Sequence, residues 1–365
     1  MGCSPSHQPD QPKDAGRLQH ARPDIGPLAG VDKEHAVPPN STTPRRDKTT
    51  NTSPFLHLDA HLMGTAFRLT IDETMAPARL VEAGRSAFQE IARIEQLMSE
   101  WQPTSEISRV NAQAGVQPVR ISQETYQLLT QAKALSAKSA GAFDVTWAGM
   151  RGLWRFQPNA QTVPTPAQIE RGLRTVGFRD LVLNSTGPTA FLKRKGMAIG
   201  LGAIAKGYGI DRAARILRSK GITRFMVDGG GDLFISGKKS SGTPWTIGVR
   251  HPRDATKLVA HISVTDGALV TSGDYERSFE RKGIRYHHII DMRTGYPAQR
   301  SVSVTVLAPT ATLADALATA VFVLGPTAGR QLADEMPGVS AAIFAPDGTI
   351  SVTRNWRSKF PKRWR

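Results

Sequence analysis

From about residue 55 onward, apolar side chains recur with two different periods. His57-Leu58-Asp59-Ala60-His61-Leu62 alternates, and after Gly64 the alternation resumes at Phe67, Leu69 and Ile71. Period-two alternation on both sides of a short turn predicts a β-hairpin or bulged pair. Over 77–100 the period lengthens, and Leu80, Phe88, Ile91, Ile94, Leu97 and Met98 fall near one stripe of an amphipathic helix. A polar loop at 102–106 precedes a short helix at 106–112. Ser122 is placed to cap a helix to about Lys138, with Leu128, Leu129, Ala132 and Leu135 turned inward.

Glycine punctuates the middle of the chain. Gly200-Leu201-Gly202-Ala203-Ile204-Ala205-Lys206-Gly207 leads into a helix with Ile210, Ala213, Ala214 and Leu217 on one face, ended by Gly221. Strands are predicted over 224–227, 233–235, 245–249 and 259–264. Residues 312–324 form a strongly apolar helix closed by Gly325 and Pro326. Runs at 339–344 and 349–352 flank Pro346-Asp347-Gly348, a hairpin signal. Strands in both hairpin and strand–helix contexts predict an α+β fold, a single mixed domain over 54–353. Residues 1–53 carry no apolar period and read as a disordered tail or linker, and 354–365 as a basic tail. No repeat of fixed period is present.

Composition narrows the class. With 365 residues, 39% hydrophobic and 21% charged, the chain is long enough for a real core, which excludes overall disorder and collagen-like or disulfide-scaffold proteins. Its single cysteine, Cys3, excludes an internal disulfide. No run of about 18 consecutive apolar residues reads as a membrane span. The net charge of +16 points to a nucleic acid, an anionic surface or a polyanionic ligand without separating them.

Four constellations can carry chemistry. Gly200–Lys206 before a helix combines close backbone approach, free N–H groups and a lysine, as a phosphate site needs. It lacks the order of a Walker A loop or a dinucleotide fingerprint, and a tight packing loop reads equally well. Asp315 and Thr319, four apart among Ala, Leu, Val and Phe, share one helical face. Oxygen donors of this kind suit Mg²⁺, although an acid near a helix start also serves the dipole. His287 and His288 sit at a strand, where adjacent side chains point to opposite faces. One can face a site and take a proton; a half-buried, hydrogen-bonded histidine is the plainer reading. Gly141-Ala142-Phe143-Asp144-Val145-Thr146 can hold a planar ring, or simply end a helix. Gly229-Gly230-Gly231 with Asp232 is a weaker signal.

These pieces occur in an order that resembles the FAD:protein FMN transferase (ApbE) family. The matching stretches are Met63-Gly64-Thr65; Ser99-Glu100-Trp101; Gly141-Ala142-Phe143-Asp144; Leu201-Gly202-Ala203-Ile204-Ala205-Lys206-Gly207-Tyr208 with Asp211; Gly230-Gly231-Asp232; Thr271-Ser272-Gly273-Asp274; His288-Ile289-Ile290-Asp291 with Thr294-Gly295-Tyr296-Pro297; and Ala314-Asp315-Ala316-Leu317-Ala318-Thr319. The resemblance implies an enzyme that binds FAD and Mg²⁺, cleaves the FAD diphosphate and attaches FMN by a phosphoester to a Thr or Ser of an acceptor protein. The implied acceptors belong to membrane redox complexes or periplasmic electron-transfer systems. By position, the Ala203 carbonyl, Asp315 and Thr319 would hold the metal, with Thr312 one turn earlier as a further candidate. Met63, Trp101, Ala142, Phe143, Asp144, Lys206 and the backbone near Ile289 would contact FAD, and His288 matches the family's functional histidine. The alternatives are an FAD pyrophosphatase and a catalytically silent FAD-binding assembly protein.

Three positions depart from the family pattern. Gly200 stands where an acid is usual, Val145 follows Asp144 where proline is usual, and Met292 replaces another proline. Met1-Gly2-Cys3-Ser4 resembles the end of a lipoprotein signal without its apolar core. The expectation is the periplasmic side of a bacterial inner membrane, with Cys3 as lipid anchor, or the cytoplasm if no export signal lies upstream. Six of the excess positive charges fall in the last twelve residues and about one in the N-terminal tail, leaving +9 on 54–353. A basic C-terminus fits contact with an anionic membrane surface or acceptor better than nucleic-acid readout, and no nucleic acid is expected as a partner.

Overall fold

The computed structural model describes residues 1–2 and 55–359; the tail expected over 3–53, Cys3 included, and the last six residues lie outside the described residues. The first alternating stretch forms strands Leu56–Leu62 and Thr65–Ile71, paired antiparallel with Leu62 opposite Thr65. That register leaves Met63-Gly64 as a two-residue turn, with φ of 50° and 70°. Hairpin turns of this length favour positive φ at both positions, which glycine adopts freely and methionine at a cost of about 1 kcal/mol or more.

The hairpin begins an eight-stranded sheet in which every pair is antiparallel. Phe225–Gly229, Asp232–Ser236, Gly267–Gly273, Ser303–Ala308, Ser340–Phe344 and Ile350–Val352 follow in that order across it. Alternate residues serve two cores. Phe234, Val270, Val304, Val306 and Ile343 join the larger, which holds Pro77–Met98, Ala205–Ser219 and the first part of Ala311–Asp334. Leu233, Ile235, Leu269, Leu307 and Phe344 join the smaller, against the hairpin Trp245–His251 and Asp254–Val264. Covered on both faces, Ser303–Ala308 is buried at every position and shows no polar alternation.

The helix predicted to stop at Gly325 does break there, with φ 81° and ψ −173°, but helix resumes at Pro326 and continues to Asp334. Proline fits the first turn of a new helix, since its missing N–H is not needed there. By length and composition this element could span a membrane; with 67% of its most apolar window buried, it is packed as a core helix.

The reading of a basic tail from 354 onward needs correction over 354–359; the rest of it lies outside the described residues. Arg354–Lys359 is helical, and Trp356 is only 1% exposed, inserted in the smaller core. The basic residues around it obscured Trp356 as an anchor. Trp356→Ala is expected to lower stability by about 3–5 kcal/mol in urea denaturation. The sequence reading also gave no hint of the three-stranded sheet Val119–Arg120, Thr189–Leu192 and Leu181–Asn184, or of the helix Pro166–Leu173. Short, largely polar elements carry little period.

Candidate active site

Two helix starts converge. A Cβ on Gly207 would lie 2.2 Å from the Ala311 carbonyl oxygen and 2.9 Å from the Asp315 Cβ, so this approach requires glycine. The Gly207 N–H donates to Asp315 Oδ2 at 3.0 Å. Asp211, one turn further along the Ala205–Ser219 helix, accepts from the backbone N–H of Ala311 and Thr312 and from the Thr312 hydroxyl, at 2.8, 2.9 and 2.6 Å. A carboxylate there satisfies orphan donors and complements the helix dipole. Thr312 is thereby engaged by Asp211, whereas Thr319 lies half-buried one turn beyond Asp315.

Lys206 stands in the first turn of its helix, where a positive charge opposes the dipole. It is held by an ion pair with Asp232. Burial works against the lysine's charge, but Asp232 and Asp315 outweigh it and its pKa lies above the usual lysine value. Asp315 and Asp232 are 6% and 4% exposed. Burial raises the pKa of both carboxyls, against the pull of Lys206. Asp228 also lies within range of the Lys206 charge and accepts from the Gly231 N–H at 2.8 Å. Lys206 thus lies among three carboxyls, with Arg68 also acting on Asp228.

The adjacent histidines separate where the strand Ile284–His287 ends and the chain bends at His288. His287 is buried with its ring edge against Phe322, its Nε2 2.7 Å from the Ala298 carbonyl. The Ile289 N–H donates to its Nδ1, so Nε2 carries the proton and donates to Ala298. His288, by contrast, is exposed to solvent. Desolvation first, then the charge of Arg277, lowers its pKa to about 4; Lys206 is near enough to add to the shift. At neutral pH the imidazole is uncharged.

A second wall surrounds Gly200. Trp147 Nε1 donates to the Gly200 carbonyl at 2.8 Å, and a Cβ on Gly200 would come within 2.6 Å of that indole. The departure at 200 and the indole at 147 are thus one packing arrangement. The Arg151 guanidinium lies 4.2 Å from the ring centre of Trp101, which is 70% exposed.

The predicted site residues are placed unequally. Lys206 and Asp315 adjoin, with Ala203 in the loop just before Lys206 and His288 within range of its charge. Met63 packs on Gly209 of the same helix: a Cβ there would be 3.0 Å from its Cε. Ala142 and Phe143 are 2% exposed, so their side chains belong to the core. Both Asp144 oxygens are taken, by Thr146 and by the Phe178 N–H, and Asp144 shapes its loop. The Ile289 N–H bonds His287 and its carbonyl accepts from Ala298. Arg151, Trp147 and the capping role of Asp211 escaped the sequence reading. Two motif departures that face each other were the available signal for Trp147. Among the described residues no three His, Cys, Asp or Glu are grouped to hold a metal ion.

A lysine and a buried carboxylate thus meet at converging helix starts, with a histidine within range of the lysine's charge. The chain belongs to the ApbE family, whose model matches residues 63–344. It is 37% identical over 304 residues to the FAD:protein FMN transferase of Treponema pallidum, covering 79% of this chain and 84% of that one. A protein of the same name from Klebsiella pneumoniae is 32% identical over 306 residues, covering 82% and 92%. The crystal structure of the ApbE protein of Thermotoga maritima superposes with a TM-score of 0.77 at 33% identity, over 84% of this chain and 99% of that one. The flavin transferase ApbE of Vibrio cholerae gives 0.74 at 29% identity, with the same coverage.

Proposed function

We propose that this chain is an FAD:protein FMN transferase that uses Mg²⁺. The acceptor hydroxyl oxygen attacks the FMN phosphorus, the bond to the AMP phosphate breaks, and the hydroxyl proton leaves on a base. The observation that carries this reading is the meeting of Asp315 and Lys206 at two converging helix starts. The relatives' names supply the substrate.

The residues fit a hard cation. The Ala203 carbonyl, Asp315 and Thr319 offer oxygen only, the donor type a hard cation prefers. Those three residues would hold Mg²⁺, which when bound supplies charge neutralisation on the diphosphate. Lys206 adds a fixed positive field beside the reacting phosphorus. His288, neutral at pH 7, can accept the acceptor's proton.

A base with so low a pKa contributes at the lower end of general-base catalysis, so His288→Ala is expected to reduce kcat roughly 100-fold. Protonation removes the base, so the part of kcat that depends on His288 should fall below about pH 5 as His288 approaches its pKa of about 4. A pH–rate profile of the chain and of His288→Ala checks both the limb and its loss.

The full chain, incubated with FAD, MgCl₂ and an acceptor carrying the target Thr or Ser, is expected to give a flavin-fluorescent acceptor band. AMP and free FMN released without acceptor would instead make it an FAD pyrophosphatase, and binding without cleavage a silent FAD-binding protein. We place the acceptor in a membrane redox complex or periplasmic electron-transfer system. A periplasmic location rests on Gly2-Cys3 and the family resemblance alone; metabolic labelling of Cys3 with a fatty acid tests it.

A further inference from the structure

We propose that Arg151 is a positioning residue for FAD: it holds Trp101 as a platform for one of FAD's flat rings and ties that platform to the glycine loop bearing Ala203 and Lys206. The proposal rests on the FAD reading above, and Arg151 lies outside the stretches that carry the family resemblance.

Trp101 sits in a polar turn, 70% exposed. Its own backbone N–H is held by Ser99 Oγ at 3.2 Å, but the large indole needs a support to stay in one orientation. Arg151 covers one face, its guanidinium carbon 4.2 Å from the ring centre. The same guanidinium lies 5.7 Å from the Trp147 ring. Trp147 is itself fixed, by its bond to the Gly200 carbonyl and a bridge to Ala198. On its other side Arg151 pairs with Glu100 at 3.2 Å, and Glu100 accepts from the Leu201 N–H at 3.4 Å. The guanidinium thus spans from an exposed indole to the backbone at 200–201, five residues before Lys206.

Arg151 is poorly used as a purely structural group. Its Nε and Nη2 are buried and make no hydrogen bond among the described residues, so the contact of Nη2 with Glu100 is one of charge alone. What its geometry does satisfy is planar stacking, which arginine provides and lysine does not. With one indole face covered by a cation, the other face is left for a flat heteroaromatic ring. Adenine and isoalloxazine share that chemistry, and FAD carries both.

The test compares the intact chain with Arg151→Ala and Arg151→Lys. Removing the support should raise the KM for FAD about 10-fold with kcat changed less than about threefold, because the platform binds ground state and transition state alike. Lysine keeps the charge without the planar face, so its KM should lie nearer to alanine's than to wild type's. AMP and FMN, titrated separately by tryptophan fluorescence, separate the sources: only the ligand whose ring sits on Trp101 should lose affinity. A KM within about twofold of wild type, full rescue by lysine, or equal weakening of both ligands with a fall in thermal stability would each overturn the proposal. FAD binding by the wild-type chain is measured first; its absence would defeat the FAD reading itself, whereas wild-type binding unchanged in Arg151→Ala defeats this inference alone.

Discussion

Asp315→Asn is expected to reduce flavin transfer at least about 1,000-fold while leaving the protein folded, a loss of roughly 4 kcal/mol of transition-state stabilisation. The asparagine amide keeps an oxygen for the Gly207 N–H, so the contact between the two helices survives. What disappears is the full charge that would complete a cation site. The fold itself gains little from that charge, because Asp315 is buried, its pKa is raised first by desolvation, and Asp211 adds repulsion. Buried carboxylates in such surroundings are kept for function and not for stability. Thermal unfolding without metal should therefore change by only a few degrees. The stabilisation that Mg²⁺ gives the wild type should vanish in the variant, which separates loss of the cation site from loss of the fold.

Gly207→Ala is expected to damage both activity and stability. An exposed helical glycine replaced by alanine ordinarily gains up to about 1 kcal/mol. Here the new Cβ would meet the backbone carbonyl of Ala311 at 2.2 Å, and a backbone atom held by the Asp211 cap has little freedom to yield. The clash should dominate, with a net loss of about 2–3 kcal/mol in urea denaturation. Separating the helix starts also moves Asp315 away from Lys206, so transfer should fall by at least about 100-fold, since roughly an ångström of misplacement at a reacting centre has that effect. Unchanged stability would mean that the two helices shift apart easily and that their contact does not fix the site.

Much of this fold is visible in periodicity. Leu58, Leu69 and Ile71 alternate because one face of their hairpin is buried, and Ile91 and Ile94 recur because one helical stripe is. Gly325-Pro326 marks a real break. Periodicity fails where the cause of burial is not local. Trp356 is held by a sheet face assembled from distant strands, so a basic composition concealed an anchored helix. The site shows the same division. Lys206, Asp315 and His288 stand in recognisable runs, each with a local signature. Arg151 lies 50 residues from Trp101, and no spacing announces their stacking. Gly200 and the residues after Asp144 were visible as separate departures, and only the fold shows the Trp147 indole filling the space a side chain at 200 would need. The oxygens of Asp144 accept from Thr146 and from the Phe178 N–H, a long-range contact that no local spacing announces.

The central claim is that the site around Asp315 and Lys206 moves FMN from FAD onto a protein hydroxyl. Mass spectrometry of an acceptor incubated with the full chain, FAD and Mg²⁺ tests it most directly. The account predicts a mass gain of one FMN less one water on a Thr or Ser, with one AMP released per acceptor, both lost in Asp315→Asn. Release of AMP with the acceptor unmodified, or modification that persists in Asp315→Asn, would contradict it.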